Sequence, residues 1–152
     1  WRAKAQGRHR RTCPGNGNGL MATVPLATDE TAGAQALAVF ADIRAKRGTD
    51  YVNNFWRALA SDPALLKATW ERLQVVMAPG ALDPLVKEMV YLAVSVTNNC
   101  GYCIHSHTAA ARAKGMSNEQ HGELLAVIAM ASQTNALATA LQVDVDERFN
   151  IL

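Results

Sequence analysis

A repeated start signal for helices narrows the fold more than any other feature of this chain. Asp62-Pro63 and Asp83-Pro84 each place an acidic cap directly before a proline. The aspartate accepts from orphan N–H groups of the first turn, and proline at the first helical position gives up an N–H that has no intrahelical partner anyway. Ser117-Asn118-Glu119-Gln120 is a third start, in capping-box form. The stops match: Gly48 follows Ala34–Lys46, Pro79-Gly80 follows the helix opened at Asp62, and Gly115 follows a segment of about Cys100 to Lys114. Between these signals apolar residues recur at helical spacing. Val52, Phe55, Trp56 and Leu59 form one stripe, and Leu66, Thr69, Trp70, Leu73 and Met77 form another. Leu124, Leu125 and Ile128 are expected to point inward after the capping box, and Gln133–Val143 reads as a separate, Ala-rich last helix. No alternating strand pattern of useful length and no fixed-period repeat is present. The sequence predicts an all-α fold of six or seven helices.

Composition bounds the rest. With 152 residues, 49% of them hydrophobic, the chain suits one globular domain with a tail, and residues 21–152 are expected to form that single helical domain. The net charge of +2 conceals an asymmetry. Residues 1–20 hold five of the fifteen Lys/Arg and no acid; the remainder sets ten Lys/Arg against thirteen Asp/Glu. The basic balance therefore belongs to the tail. That tail, rich in Gly and Asn before Met21, reads as upstream or vector-derived sequence ahead of a native start at Met21, with Cys13 incidental. It has no apolar run of signal-peptide type. Its five charges lack the aromatics or helical stripe of a nucleic-acid arm, so neither nucleic acid nor membrane is expected as a partner. The longest apolar stretches, Met89–Val94 and Leu124–Ala131, fall well short of the roughly 20 residues a bilayer crossing needs, and a cytoplasmic protein is expected.

The segment Leu85–Val96 is apolar almost all round, which predicts a helix buried on most sides. Glu88, Tyr91, Ser95 and Asn99, at i, i+3, i+7 and i+11, draw a polar stripe along it. A buried carboxylate is costly unless it is paired, hydrogen-bonded or protonated, and such groups gather at working sites. An ordinary surface acid near a helix start is the competing reading.

Next comes Asn98-Asn99-Cys100-Gly101-Tyr102-Cys103-Ile104-His105-Ser106-His107. Cys100, Cys103 and His107 share one helical face and His105 points away from it. Asn99 is expected to cap the helix, placing Cys100 in the first turn, where the dipole stabilises a thiolate. Thiols one turn apart can close a disulfide after one of them is oxidised, and His107 is placed to take a proton. Haem attachment of the Cys-x-x-Cys-His type is excluded, since Ile104 stands where the histidine is required. A zinc site needs four ligands, and only His105 or His107 adds to the pair. A thioredoxin-type motif needs a βαβ context. Two inert buried cysteines would leave the histidine on their face unexplained.

Glu88, Cys100-x-x-Cys103 and His107 at these spacings resemble the AhpD-like alkylhydroperoxidases of the carboxymuconolactone decarboxylase superfamily, most of all their peroxidase-related branch. The resemblance runs from about Leu82 to Ala131. It implies a helical fold assembled as a trimer or hexamer, and an antioxidant, peroxiredoxin-like oxidoreductase in which Cys103 attacks the peroxide, Cys100 resolves the sulfenic acid, and Glu88 and His107 relay protons. The helix dipole alone favours Cys100 as the more acidic thiol; Cys103 is the attacking thiol by the resemblance. No metal or organic cofactor is implied. The reductant would be an external dithiol, from a lipoyl protein or a thioredoxin-like protein. Tyr102 stands where the best-known members carry a second relay histidine. Tyr102, Tyr91, Ser95 and Asn99 are candidate supporting residues. Two other readings stay open: a decarboxylase-type enzyme using His107 and Glu88 as acid and base, and a non-catalytic helical oligomer whose dithiol senses redox state.

Overall fold

A computed structural model describes residues 22–149; the tail and its reading lie outside the described residues. These residues form six α-helices and one short 3-10 turn, with no strand among them: α1 (Ala34–Arg47), α2 (Asn54–Leu59), α3 (Pro63–Met77), α4 (Pro84–Thr97), α5 (Gly101–Ala113) and α6 (Asn118–Leu141), then Glu147–Phe149. The all-α expectation holds. The chain divides into two compact units at Arg72–Leu73, within α3.

In the first unit α1 buries Ala36, Val39, Phe40 and Ile43, and stops at Gly48, whose φ of 61° is the left-handed turn that glycine makes without a Cβ penalty. Trp56 and Trp70 meet edge to face with ring centroids 5.3 Å apart. The Trp70 indole N–H donates to Asp42 Oδ2 at 2.7 Å, satisfying the one polar atom of a buried ring. Leu66 and Val52 are fully buried, Val52 lying just ahead of α2 rather than within it. Asp62 Oδ1 accepts from Leu65 N, as its place before Pro63 predicts.

The second unit is built on the α4–α5 hairpin, with α6 packed along α4. Asp83 caps α4 by accepting from Leu85 N at 2.8 Å. Lys87 turns back to donate to the Val76 and Ala78 carbonyls, closing the end of α3. Ser117 and Gln120 form both bonds of the capping box at the start of α6.

Four expectations need correction. The helix after Ser117 and the separate Ala-rich helix are one: α6 runs unbroken for 24 residues, because neither Gly nor Pro occurs between Glu123 and Leu141. Ser132 and Thr134 hydrogen-bond back to the Ile128 and Met130 carbonyls, so their polar side chains do not interrupt it. By length and composition α6 is thus apolar and long enough to cross a membrane, which the shorter apolar runs had concealed. Of the three residues expected inward, Ile128 is buried and Leu125 is exposed. Finally, α4 is not buried on most sides: it hides Glu88, Leu92 and Ser95 while Val86, Val90 and Val94 stay exposed. The helix is inside out at these positions, with a carboxylate in the packed interior and valines facing outward.

Candidate active site

The link between α4 and α5 explains how a thiol reaches its position. Asn99 adopts φ 54°, the left-handed region that asparagine tolerates better than most residues. Cys100 N donates to Ser95 O, and Asn99 N donates to Val96 O. That pair of bonds is a Schellman stop, with Asn99 in the place usually held by glycine. The residue that completes the stop of α4 is also the N-cap of α5: Cys100 Sγ accepts from Cys103 N at 3.3 Å. The expected capping role of Asn99 is therefore corrected. Its backbone ends α4, Cys100 does the capping, and Asn99 itself is exposed and does not continue the polar stripe.

Cys100 and Cys103 are joined in a disulfide, their Cα atoms 5.3 Å apart. One turn further, His107 Nδ1 lies 2.6 Å from Glu88 Oε2. Glu88 has a side chain only 6% exposed, so the buried reading of this residue is the one the structure supports. Its second oxygen accepts from Lys114 Nζ at 2.8 Å. Burial pushes the Glu88 carboxyl up. The hydrogen bonds from His107 and Lys114, with their charges, outweigh that and hold it below its ordinary value. Glu88 is therefore ionised at neutral pH and accepts only, so Nδ1 of His107 carries the shared proton.

Tyr91 stacks on the His107 ring with centroids 3.6 Å apart and planes 17° apart, fixing the imidazole from one side. Ser95 is buried and donates to the Tyr91 carbonyl. Of the stripe read on α4, Glu88, Tyr91 and Ser95 thus cluster as expected. Tyr102 and His105 are exposed. A cavity of about 780 Å³ opens beside the disulfide, lined by both cysteines, Tyr91 and Ser95 and by apolar side chains including Met77, Leu82, Val90 and Val94. Two of the outward valines of α4, Val90 and Val94, are wall residues of this cavity.

Sequence reasoning missed Lys114. The signal was present: Lys114 lies seven residues beyond His107, two turns along the same face as Cys103 and His107.

Residues 63–146 match the model of the carboxymuconolactone decarboxylase family. The chain belongs to that family. Within it, the crystal structure of the alkylhydroperoxidase AhpD core from Rhodospirillum rubrum superposes with a TM-score of 0.83 at 61% identity, covering 87% of this chain and 99% of that one. Alkyl hydroperoxide reductase AhpD of Solibacter usitatus is 43% identical over 49% of this chain. The chain spans only 40% of that protein's length, and 38% of its counterpart from Maricaulis maris. Uncharacterized protein 4 in the cox locus of Paracoccus denitrificans is 34% identical, over 68% of this chain and 97% of that protein. The resemblance read from Glu88, the cysteine pair and His107 is thereby confirmed as membership of this AhpD-like group.

Proposed function

We propose that the chain is a dithiol peroxidase that reduces organic hydroperoxides. The observation that carries this reading is the closed Cys100–Cys103 disulfide on the helix whose next turn presents a histidine held by a buried, ionised carboxylate. The names of the AhpD relatives agree with it. In the reduced protein, the thiolate of Cys103 attacks the terminal peroxide oxygen. His107 Nε2 has taken the proton of the Cys103 thiol, and as the O–O bond breaks it passes that proton to the leaving alkoxide, which becomes the alcohol. Cys103 is left as a sulfenic acid. The Cys100 thiol attacks its sulfur, water departs, and the disulfide forms. An external dithiol then reduces the disulfide by exchange and completes the cycle.

Each part of the site has a place in this scheme. Glu88 keeps the imidazole in one tautomer, with Nε2 as the basic atom. Tyr91 limits rotation of the ring, and Ser95 ties down the backbone beneath Tyr91. The cavity beside the disulfide offers apolar wall to the organic group of the peroxide and, after turnover, a path for the reductant. Association into a homo-oligomer belongs to the same proposal: Val127, Met130, Leu137 and Leu141 leave α6 with an exposed apolar surface that a second copy would cover.

Cys100→Ser tests the assignment. Treated with one equivalent of cumene hydroperoxide, this variant should accumulate a sulfenic acid that a dimedone probe labels on Cys103, while Cys103→Ser should lose peroxide turnover altogether. No label on Cys103 in Cys100→Ser, with a label instead on Cys100 in Cys103→Ser, would reverse the roles of the two thiols, and a fully active Cys103→Ser would end the scheme. The Glu88–His107 pair itself favours a second reading, acid–base chemistry of decarboxylase type that needs no sulfur. Activity that survives alkylation of both cysteines would select it.

A further inference from the structure

We infer that Lys114 is a positioning residue of this site: it takes the second oxygen of Glu88 and thereby locks the carboxylate in the charged form that orients His107. The inference deepens the peroxidase reading and rests on it for its catalytic consequence. Its structural part stands on geometry alone. Glu88 is buried, yet both its oxygens are engaged, one by the ring of His107 at 2.6 Å and one by the ammonium of Lys114 at 2.8 Å. Lys114 comes from the far end of α5, as its C-cap residue, and its side chain is 38% exposed. It is therefore a cation that keeps part of its hydration while neutralising a charge in the interior.

The neighbouring charged groups are occupied elsewhere. Lys87, beside Glu88 on α4, donates to the carbonyls at the end of α3. His121 on α6 is paired with Arg112. The groups that act on Glu88 are His107 and Lys114, which α5 and its C-cap supply.

The consequence is a division of labour. Without the cation, a buried carboxyl next to one imidazole would share its proton, and the pair could carry that proton on either residue. With the cation in place Glu88 stays an acceptor, the proton stays on Nδ1, and His107 alone moves protons through Nε2. Glu88 is then the orienting group and not a link of the relay.

The test uses the oxidised protein, in which no turnover is needed. The Glu88 carboxyl is followed by 13C NMR against pH, with its resonance assigned from Glu88→Gln. In Lys114→Met, and in Lys114→Gln as a second variant of different shape, the titration should move to higher pH, and Lys114→Arg should restore it. Circular dichroism checks that helix content is kept. In the reduced proteins the acid limb of the pH–rate profile for cumene hydroperoxide should move the same way. Lys114→Met should be about tenfold slower on that limb, as a one-unit displacement gives, with the plateau rate little changed. A Glu88 titration that stays put in both variants, or one that moves while the pH–rate profile does not, overturns the inference. Failure of the parent protein to react with peroxide would instead sink the peroxidase reading, and the titration would still decide whether Lys114 holds Glu88.

Discussion

Glu88→Gln is the most informative single change, because it preserves shape and removes charge. In the parent, two donors converge on the two oxygens of Glu88, the Nδ1–H of His107 at 2.6 Å and the ammonium of Lys114 at 2.8 Å. A glutamine offers one oxygen and one NH2. If its oxygen faces Lys114, its NH2 meets Nδ1, which must then give up its proton and place it on Nε2. If the oxygen faces His107, the NH2 opposes an ammonium. One charge-assisted bond is lost in either placement. Removing one partner of a fully buried pair costs about 3–5 kcal/mol. In this site the side chains of His107 and Lys114 are 17% and 38% exposed, so water recovers part of the loss. About 2 kcal/mol is expected, near the figure for one hydrogen bond to a charged group. For a chain of this size that is a fall in Tm of about 4–8 °C. The wrong tautomer should also slow the reaction of the reduced protein with cumene hydroperoxide by about 10²–10⁴-fold, the range for loss of general acid–base assistance. Thermal melts and stopped-flow traces read the two effects separately. A variant that melts with the parent and reacts at the parent's rate would refute the reasoning on both counts. The double variant Glu88→Gln/Lys114→Met should be less destabilised than the sum of the singles, because the two residues share one interaction.

Leu92, 1% exposed on the inward face of α4, should cost about 2–5 kcal/mol as Leu92→Ala in a denaturant titration; a loss below about 1 kcal/mol would mean that the interior beside Glu88 is loosely packed. Trp70→Phe leaves Asp42 Oδ2 without the indole donor and should cost about 1–2 kcal/mol, read as a lower midpoint in urea. Because the Glu88 carboxyl is held below its ordinary value in the folded chain, its contribution to stability is fully present above its unfolded pKa and is lost as pH falls through the lower folded one. Melting of the parent should therefore drop on acidification with a contribution that Glu88→Gln lacks; parallel curves would contradict it. Tyr91→Leu removes the stacked ring from His107 and should slow peroxide reduction while leaving helix content unchanged.

Much of this was legible in the sequence, for local reasons. Asp62, Asp83 and Ser117 mark helix starts because a cap needs only its own next three residues, and each performs that role in the structure. The spacing of Glu88, Cys100, Cys103 and His107 was likewise readable, since two faces of a helical hairpin fix which residues can meet. Asn99 was misread because the same Asn-Asn-Cys run can cap the following helix or stop the preceding one, and only the backbone turn at φ 54° decides. Val90 and Val94 of α4 were misread because periodicity cannot tell an apolar face that fills a core from one that lines a cavity. The joint in α6 was imagined where polar residues interrupted an apolar run, although serine and threonine can bond their own helix and leave it intact. Lys114 escaped because a lysine near a helix C-terminus has an ordinary use in satisfying the last carbonyls, and nothing in sequence says that it reaches across to a buried acid.

Whether the two thiols act together on a peroxide is measured most directly by thiol counting after stopped-flow mixing of the reduced protein with cumene hydroperoxide. Dithiol catalysis predicts rapid loss of Cys100 and Cys103 as a pair in each chain, with formation of their disulfide, and no such phase in Cys103→Ser. Thiol loss at the rate of an ordinary free cysteine, or loss of one thiol without the other, would contradict it.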